Sequence, residues 1–290
     1  MRVLQRLIRS LEYRLFKYDY VPIFARKSLQ TGATRLLNLS LRLLGFNNFG
    51  PAEKSGERFF LQRFVSTNPM FCVDVGANVG KYSQFILEKS SSQVVAFEPL
   101  PGAYKKLQSL QNRFESRFVI ENLGCAEKSG ELTLYYGSES SELASFSDEV
   151  NEIDYVGASN VNEMVVSTTS LDDYFSRKPD FAGGRCDLLK IDTEGYEYEV
   201  LLGSLKFIDG FRPRVIQIEF NFHHLFRGHS IKLISDLLTD YKVFRMLPKE
   251  HGLVPCDSNG FISNIFQYSN YIFLANESYE ESTFRKSLGI

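Results

Sequence analysis

The chain has 290 residues, 43% hydrophobic and 23% charged, enough to bury the core of one large domain with an extension or of two small domains, and no run approaches the roughly 18 apolar residues of a spanning helix. Its formal charge of -2 is unevenly spread: residues 1–54 carry ten Lys/Arg against three acids, a balance of +7, and the rest 23 against 32, a balance of -9. An acidic body repels phosphates, so nucleic acid is not an expected partner.

The basic head comes first. In MRVLQRLIRSLEYRLFKYDY, Leu4, Leu7, Ile8, Leu11 and Leu15 recur at helical spacing, with Arg2, Arg6, Arg9 and Lys17 among the polar positions. Charge every few residues leaves no apolar h-region, so no secretory signal is expected and the protein is placed in the cytoplasm. Residues 1–54 read as a basic helical extension, suited to peripheral contact with the inner face of a membrane or to packing on the main domain or a partner helix.

From residue 55 strand-like and helix-like segments alternate. FCVDV reads as a buried strand and GKYSQFILEKS as the helix after it. QVVAFEP is a second strand, followed by helical GAYKKLQSLQNRF, and RFVIENLG is a third. ELTLYYG and NEMVVSTTS are strands of an insertion over about 131–169, joined by a polar stretch long enough for a lid. CDLLKID is the fourth core strand, YEYEVLLGSLKFI a helix, RVIQIEF the fifth strand and SIKLISDLLTDY a helix. YKVFRML and NYIFLANE close the chain as two strands without a crossover helix. The pattern predicts one α/β domain over 55–290, a doubly wound, mostly parallel Rossmann-like sheet with an antiparallel pair at its edge. Cys72, Cys125, Cys186 and Cys256 form no Cys-x-x-Cys pair, so neither zinc knuckles nor dithiol redox motifs are expected.

The first strand runs into a glycine turn, FCVDVGANVGKYSQF. A P-loop needs four residues between its glycines and a hydroxyl after the lysine. Gly76 and Gly80 are separated by three, and Lys81 is followed by Tyr82, so the triphosphate reading fails. A dinucleotide fingerprint would put glycine where Asn78 and Lys81 stand, which disfavours NAD. S-adenosylmethionine, a nucleoside without phosphates, asks for other things. It needs a tight turn past its methionine and ribose, an acid near that turn for its ammonium, and an acid ending the second strand for its ribose diol. The turn Gly76, Ala77, Asn78 to Gly80 supplies the first, Asp74 the second and Glu98 the third. Glu98 lies 22 residues beyond Gly76, against roughly 20 for ribose-binding acids in such sheets.

FCVDVGANVGKYS, VVAFEPLPGAYKKLQ, TSLDDYF, LLKIDTEGYEYEVLLGS and RVIQIEF together resemble the FkbM-type methyltransferases, a class I S-adenosylmethionine-dependent family, collinearly over about residues 58–275. The most specific phrase is Lys-Ile-Asp-x-Glu-Gly-x-Glu, Lys190 to Glu197. The resemblance implies a seven-stranded sheet with a reversed last strand, and O-methylation, often of sugar or polyketide hydroxyls. It implies cofactor contacts from Asp74, Gly76, Asn78, Gly80 and Glu98, with Asn122 beside the adenine. It does not reach residues 1–54.

Methyl transfer from a sulfonium requires an acceptor hydroxyl held in line and a group to take its proton. The ends of the fourth and fifth strands offer Asp192, Glu194, Glu219 and His223, with His224 beside it, as catalytic candidates. Helix-start charge and strand-end charge are the structural alternatives for these acids, and Lys190 reads as a charge partner for one of them. Ser145 and Ser147, around Phe146, are candidates for touching the acceptor. No compact ligand motif calls for a metal, and none is expected. The sequence therefore reads as an S-adenosylmethionine-dependent O-methyltransferase acting on a small-molecule or glycan hydroxyl. The alternatives are an NAD-dependent oxidoreductase or epimerase, for which Tyr174 and Lys178 are the one Tyr-x-x-x-Lys pair considered, and an inactive cofactor-binding scaffold.

Overall fold

The computed structural model describes residues 10, 27–48, 50, 52–178, 181 and 184–290. The chain divides into two compact units, Met1–Phe46 and Asn47–Ile290, ahead of the 54/55 boundary read from composition. In the first unit a 3-10 turn, Lys27–Leu29, leads into the helix Gln30–Leu43. The amphipathic repeat from Leu4 to Leu15 lies outside the described residues. No helix among the described residues is long and apolar enough to cross a membrane.

The described residues of the second unit hold eleven strands, in chain order β1 Phe71–Val75, β2 Gln93–Phe97, β3 Phe118–Glu121, β4 Gly124–Cys125, β5 Gly130–Tyr136, β6 Asn162–Thr169, β7 Leu188–Ile191, β8 Val215–Phe220, β9 Tyr241–Met246, β10 Leu253–Pro255 and β11 Ser269–Ala275. Eight form the main sheet in the order β10-β9-β11-β8-β7-β1-β2-β3. β1 pairs in parallel with β2 and β7, β2 with β3, and β7 with β8. The two closing strands do pair antiparallel, but not at the edge: β11 inserts between β8 and β9, antiparallel to both. The seven expected core strands gain an eighth, the three-residue β10 along the edge of β9. It is too short to leave a period in the sequence.

Alternate residues of each core strand feed two apolar cores. Phe71, Val73, Val75, Leu189, Ile191 and Ile218 pack on one face, and Cys72, Val94, Ala96, Leu188, Val215 and Ile272 on the other, as period-2 geometry requires of a sheet covered on both sides. The expected single helix after β7 is broken into Glu197–Leu202 and Leu205–Phe211. Between them a Cβ on Gly203 would stand 2.2 Å from the Ala126 carbonyl, so only glycine passes there. The insertion pairs β5 with β6 antiparallel. Its connecting stretch is not bare loop, since it holds the short helices Asp148–Asn151 and Asp154–Ser159 around buried Val150, Ile153 and Val156.

One row breaks the apolar pattern. Asp74 on β1 stands opposite Lys190 on β7, and Lys190 opposite Gln217 on β8. Gln217 is fully buried. Its Oε1 accepts from the Tyr82 hydroxyl at 2.7 Å, and its Nε2 donates to Glu57 Oε1 at 2.9 Å and Asn270 Oδ1 at 3.0 Å. Replacing Gln217 with Leu strands those three partners, and is expected to lower unfolding free energy by about 2–4 kcal/mol. Urea unfolding checks this; an unchanged midpoint would mean that the row does not stabilise the fold.

Candidate active site

The order of the sheet reverses between β1 and β7, and such a switch point opens a crevice beyond the carboxyl ends of the strands. Here it is a cavity of about 830 Å³. Gly76, Ala77 and Asn78 form one wall and Glu98 another, while Asp192, Glu194 and Glu219 converge from the ends of β7 and β8. These seven sequence-selected residues share the cavity. Asp74, Gly80, Asn122 and His223 do not line it.

The turn after β1 is closed on itself. The Gly76 and Ala77 amides both donate to the Phe97 carbonyl, at 3.1 and 3.0 Å, and the Gly80 amide to the Ala77 carbonyl at 2.9 Å. The Asn78 amide donates to Glu98 Oε2 at 2.7 Å. A phosphate cradle works by presenting free amides, and these four are spent. Gly76 has φ +77°, and a Cβ there would lie 1.8 Å from the Asp192 carbonyl, so this glycine lets the β1 and β7 turns touch backbone to backbone.

Glu98 is buried, and its Oε1 accepts from the Leu100 amide at 2.8 Å. Each carboxylate oxygen is thus used once and retains accepting capacity. Burial pushes this carboxyl up to about 7, against the opposing pull of the Leu100 and Asn78 amides. Asn78 donates its Nδ2 to the Ser141 carbonyl at 3.1 Å, and its buried Oδ1 finds no hydrogen-bond partner among the described residues. Asn122 is a brace for this end of β2, its Nδ2 donating to the carbonyls of Glu98 and Pro99 at 2.8 and 3.0 Å. It is Leu123, the next residue, that reaches the cavity.

Asp74 departs from its expected place. It is 1% exposed, accepts from Ser83 Oγ at 2.6 Å and lies 3.7 Å from Lys190 Nζ, so it meets the cavity only through that lysine. Lys190 Nζ donates to Asp192 Oδ2 at 3.0 Å. Burial would lower this ammonium's pKa, but the charges of Asp192, Asp74 and Glu57 outweigh it and hold the group above its ordinary range. Glu57, from the helix Glu57–Val65, lines the same cavity and was not foreseen.

Carboxylate oxygens of Asp192, Glu194 and Glu219 all lie within 4.8 Å of one another. Burial first, then the neighbouring carboxylates, pushes Glu194 and Glu219 well above the usual range. His223 is 1% exposed, with Nδ1 3.0 Å from Glu194 Oε2. Its neighbour His224 is structural: fully buried, it faces Glu197 Oε2 at 3.1 Å, while Glu197 accepts from the Thr193 and Gly195 amides at 2.7 and 3.0 Å and so shapes the turn that carries Glu194.

From the insertion, Phe146 reaches the cavity wall and packs edge-on against Tyr196. Ser145 and Ser147 do not face an acceptor. Ser145 Oγ donates to the Glu194 carbonyl at 2.8 Å, and Ser147 caps the helix Asp148–Asn151. Tyr174 and Lys178 converge instead on Glu121, at 2.7 and 3.7 Å, off the cavity wall.

Comparison with known proteins places this geometry. Residues 74–252 match the model of the methyltransferase FkbM domain. The chain is 30% identical over 160 residues to methyltransferase sdnD of Sordaria araneosa, covering 48% of this chain and 61% of that one. It is 28% identical over 145 residues to methyltransferase 1 of Beauveria bassiana, covering 46% and 57%. The matched stretch thus spans less than two thirds of either relative. A solved O-methyltransferase of Bacillus cereus in complex with SAH superposes with TM-score 0.42 at 12% identity, over 88% of this chain and 93% of that one.

Between pH 4.5 and 7 the folded state keeps the Glu98 proton that the unfolded chain gives up, so this group makes stability fall as pH rises through that window and level off above it. Glu98→Gln removes the dependence. The gap between wild-type and variant unfolding free energies should change by on the order of 3 kcal/mol across the window; parallel curves in urea titrations would contradict the raised value.

Proposed function

We propose that this chain, which belongs to the FkbM methyltransferase domain family, methylates a hydroxyl of a small acceptor, a sugar, glycan or secondary metabolite, with S-adenosylmethionine as donor. The observation that carries the reading is the turn beside Glu98: the Gly76, Ala77, Asn78 and Gly80 amides are spent, and a carboxylate is left with free accepting capacity. That arrangement suits a ribose diol better than a pyrophosphate. The unpartnered Asn78 Oδ1 offers one further acceptor at the same wall. Bound there, S-adenosylmethionine supplies an electrophilic methyl on a cationic sulfur, and an acidic floor of Asp192, Glu194 and Glu219 favours a cationic ligand over an anionic one.

The chain's own residues then have separable tasks. Glu98 and Asn78 fix the nucleoside. Lys190 fixes Asp192. Glu194, backed by His223, takes the acceptor's proton, and its raised proton affinity makes the ionised form a stronger base than an exposed carboxylate. Phe146 and the insertion cover the reacting end from water.

Calorimetric titration with S-adenosylhomocysteine and, separately, NAD tests the reading. Binding of the first alone is expected, weakened on the order of 10-fold or more by Glu98→Ala. Binding of NAD alone would sink the proposal in favour of an oxidoreductase. Tight S-adenosylhomocysteine binding without methyl transfer across a panel of sugar and polyketide hydroxyls would favour a scaffold.

For residues 1–54 we propose peripheral contact with an anionic membrane face. The helix Gln30–Leu43 exposes Leu36, Leu37, Leu39 and Leu43 and carries Arg35 and Arg42, and residues 20–52 contain no acid. The full chain should float with phosphatidylglycerol-containing vesicles and not with pure phosphatidylcholine. Arg35→Gln with Arg42→Gln should weaken the partition by roughly 10- to 30-fold; flotation that ignores both the lipid charge and the arginines would refute it.

A further inference from the structure

His223 sits between two groups that no local motif joins. Its Nδ1 lies 3.0 Å from Glu194 Oε2, on the cavity side, and its Nε2 lies 2.9 Å from the Tyr155 hydroxyl, on the insertion helix Asp154–Ser159. The imidazole is 1% exposed, whereas Tyr155 is 53% exposed. Glu194 is tied to the same insertion a second time, through the Ser145 hydroxyl on its carbonyl. We infer that Tyr155 is a positioning residue for the base: its hydroxyl donates to His223 Nε2, which fixes the ring proton on Nδ1, and that proton faces Glu194 Oε2 and orients the carboxyl.

The assignment rests on hydrogen-bond bookkeeping. A neutral imidazole has one donor and one acceptor nitrogen, and the partner of one nitrogen decides which carries the proton. Burial, then the charges of Glu194 and Glu219, raises the Tyr155 phenol, so it keeps the proton that the assignment has it donate. Burial lowers His223, with Glu197 and Asp192 pulling the other way, so the ring is neutral at neutral pH. The charged or titratable groups around the ring are Glu194 and Glu197 from the turn after β7, Asp192 at its start, Glu219 from β8, Tyr155 from the insertion, and His224 and Arg227 on its own helix. Among them Tyr155 makes the hydrogen bond to Nε2, while Glu194 Oε2 lies 3.0 Å from Nδ1 as an ion-pair contact, outside hydrogen-bond geometry in this rotamer. The consequence is that seating the insertion over the cavity completes the base. When the acceptor oxygen bonds to the methyl carbon and the C–S pair returns to sulfur, the hydroxyl proton passes to Glu194, and no further reactant is consumed.

This inference rests on the methyltransferase reading for its purpose but not for its test. The imidazole tautomer is read from ¹⁵N NMR of histidine-labelled protein without ligands, with His223 assigned by loss of its signals in His223→Asn. Expected is an Nδ1–H ring in the wild type, shifting toward the Nε2–H form in Tyr155→Phe. An Nε2–H ring in the wild type, or a Tyr155→Phe spectrum identical to it, overturns the proposal whatever reaction the chain catalyses. Once an acceptor is in hand, Tyr155→Phe should lower kcat by on the order of 10-fold, leave S-adenosylhomocysteine affinity unchanged and move the acid limb of the pH–rate profile upward. In a His223→Asn background the same change should have no effect, since the amide has no tautomer to set. Additive losses in the double variant would mean that Tyr155 only packs, and would also overturn it.

Discussion

The rest of the structure depends on one buried ammonium. Lys190 lies in the middle of the sheet between apolar layers, and an unpaired charge there would cost more than a domain of this size can spare. It is tolerated because Asp74 stands opposite it across the strand pair and Asp192 lies two residues on, on the same side of the same strand. The Asp74 contact crosses from β7 to β1 and favours this register, which sets the two turns that wall the cavity. Buried ion pairs are weak evidence for stability but good devices for specifying an arrangement, and here the arrangement is what the site uses. With Lys190 committed to Asp74 and Asp192, burial and the crowding of carboxylates raise the proton affinity of Glu194 and Glu219.

The glycine turn works on the other side of the same contact. Because Gly76 has no side chain, the Asp192 carbonyl packs directly on it, and the wall formed by the β1 turn meets the acidic wall backbone to backbone. Gly80, by contrast, makes room for Leu107 and Leu110 behind the helix Lys81–Lys89. Two glycines of one motif thus have different physical reasons, one facing the ligand side and one facing the core.

What could be read in the sequence follows from the range of the interactions. Strands and helices repeat over a few residues, so the alternating pattern and the position of Glu98 were legible, and so was the crowding of acids at the ends of β7 and β8. The side-chain direction of Asp74 was not. Its period-2 position puts it on the same face as Lys190, and only the register shows that the lysine intercepts it. Asn122 failed for a related reason: a strand end near the cavity need not point into it, and its amide found two carbonyls first. Glu57 precedes the first strand and gave no periodic signal. Tyr155 reaches His223 across 68 residues, where pattern says nothing.

The same distance argument explains why the insertion matters more than its polar sequence suggested. It touches the nucleoside-side wall through Ser141 and Asn78, the acidic wall through Ser145 and Glu194, and the histidine through Tyr155. Arg227 ties it further, bridging Glu149 of the insertion to Glu199 of the body. Each contact is a single hydrogen bond or ion pair, worth little alone and partly exposed to water. Apolar packing of Leu134, Phe146 and Val166 against Leu100 and Ala103 adds to these ties. The insertion's residues are anchored on the protein side by backbone carbonyls and by groups the chemistry already fixes, whereas the face that Phe146 turns to the cavity is free of such ties.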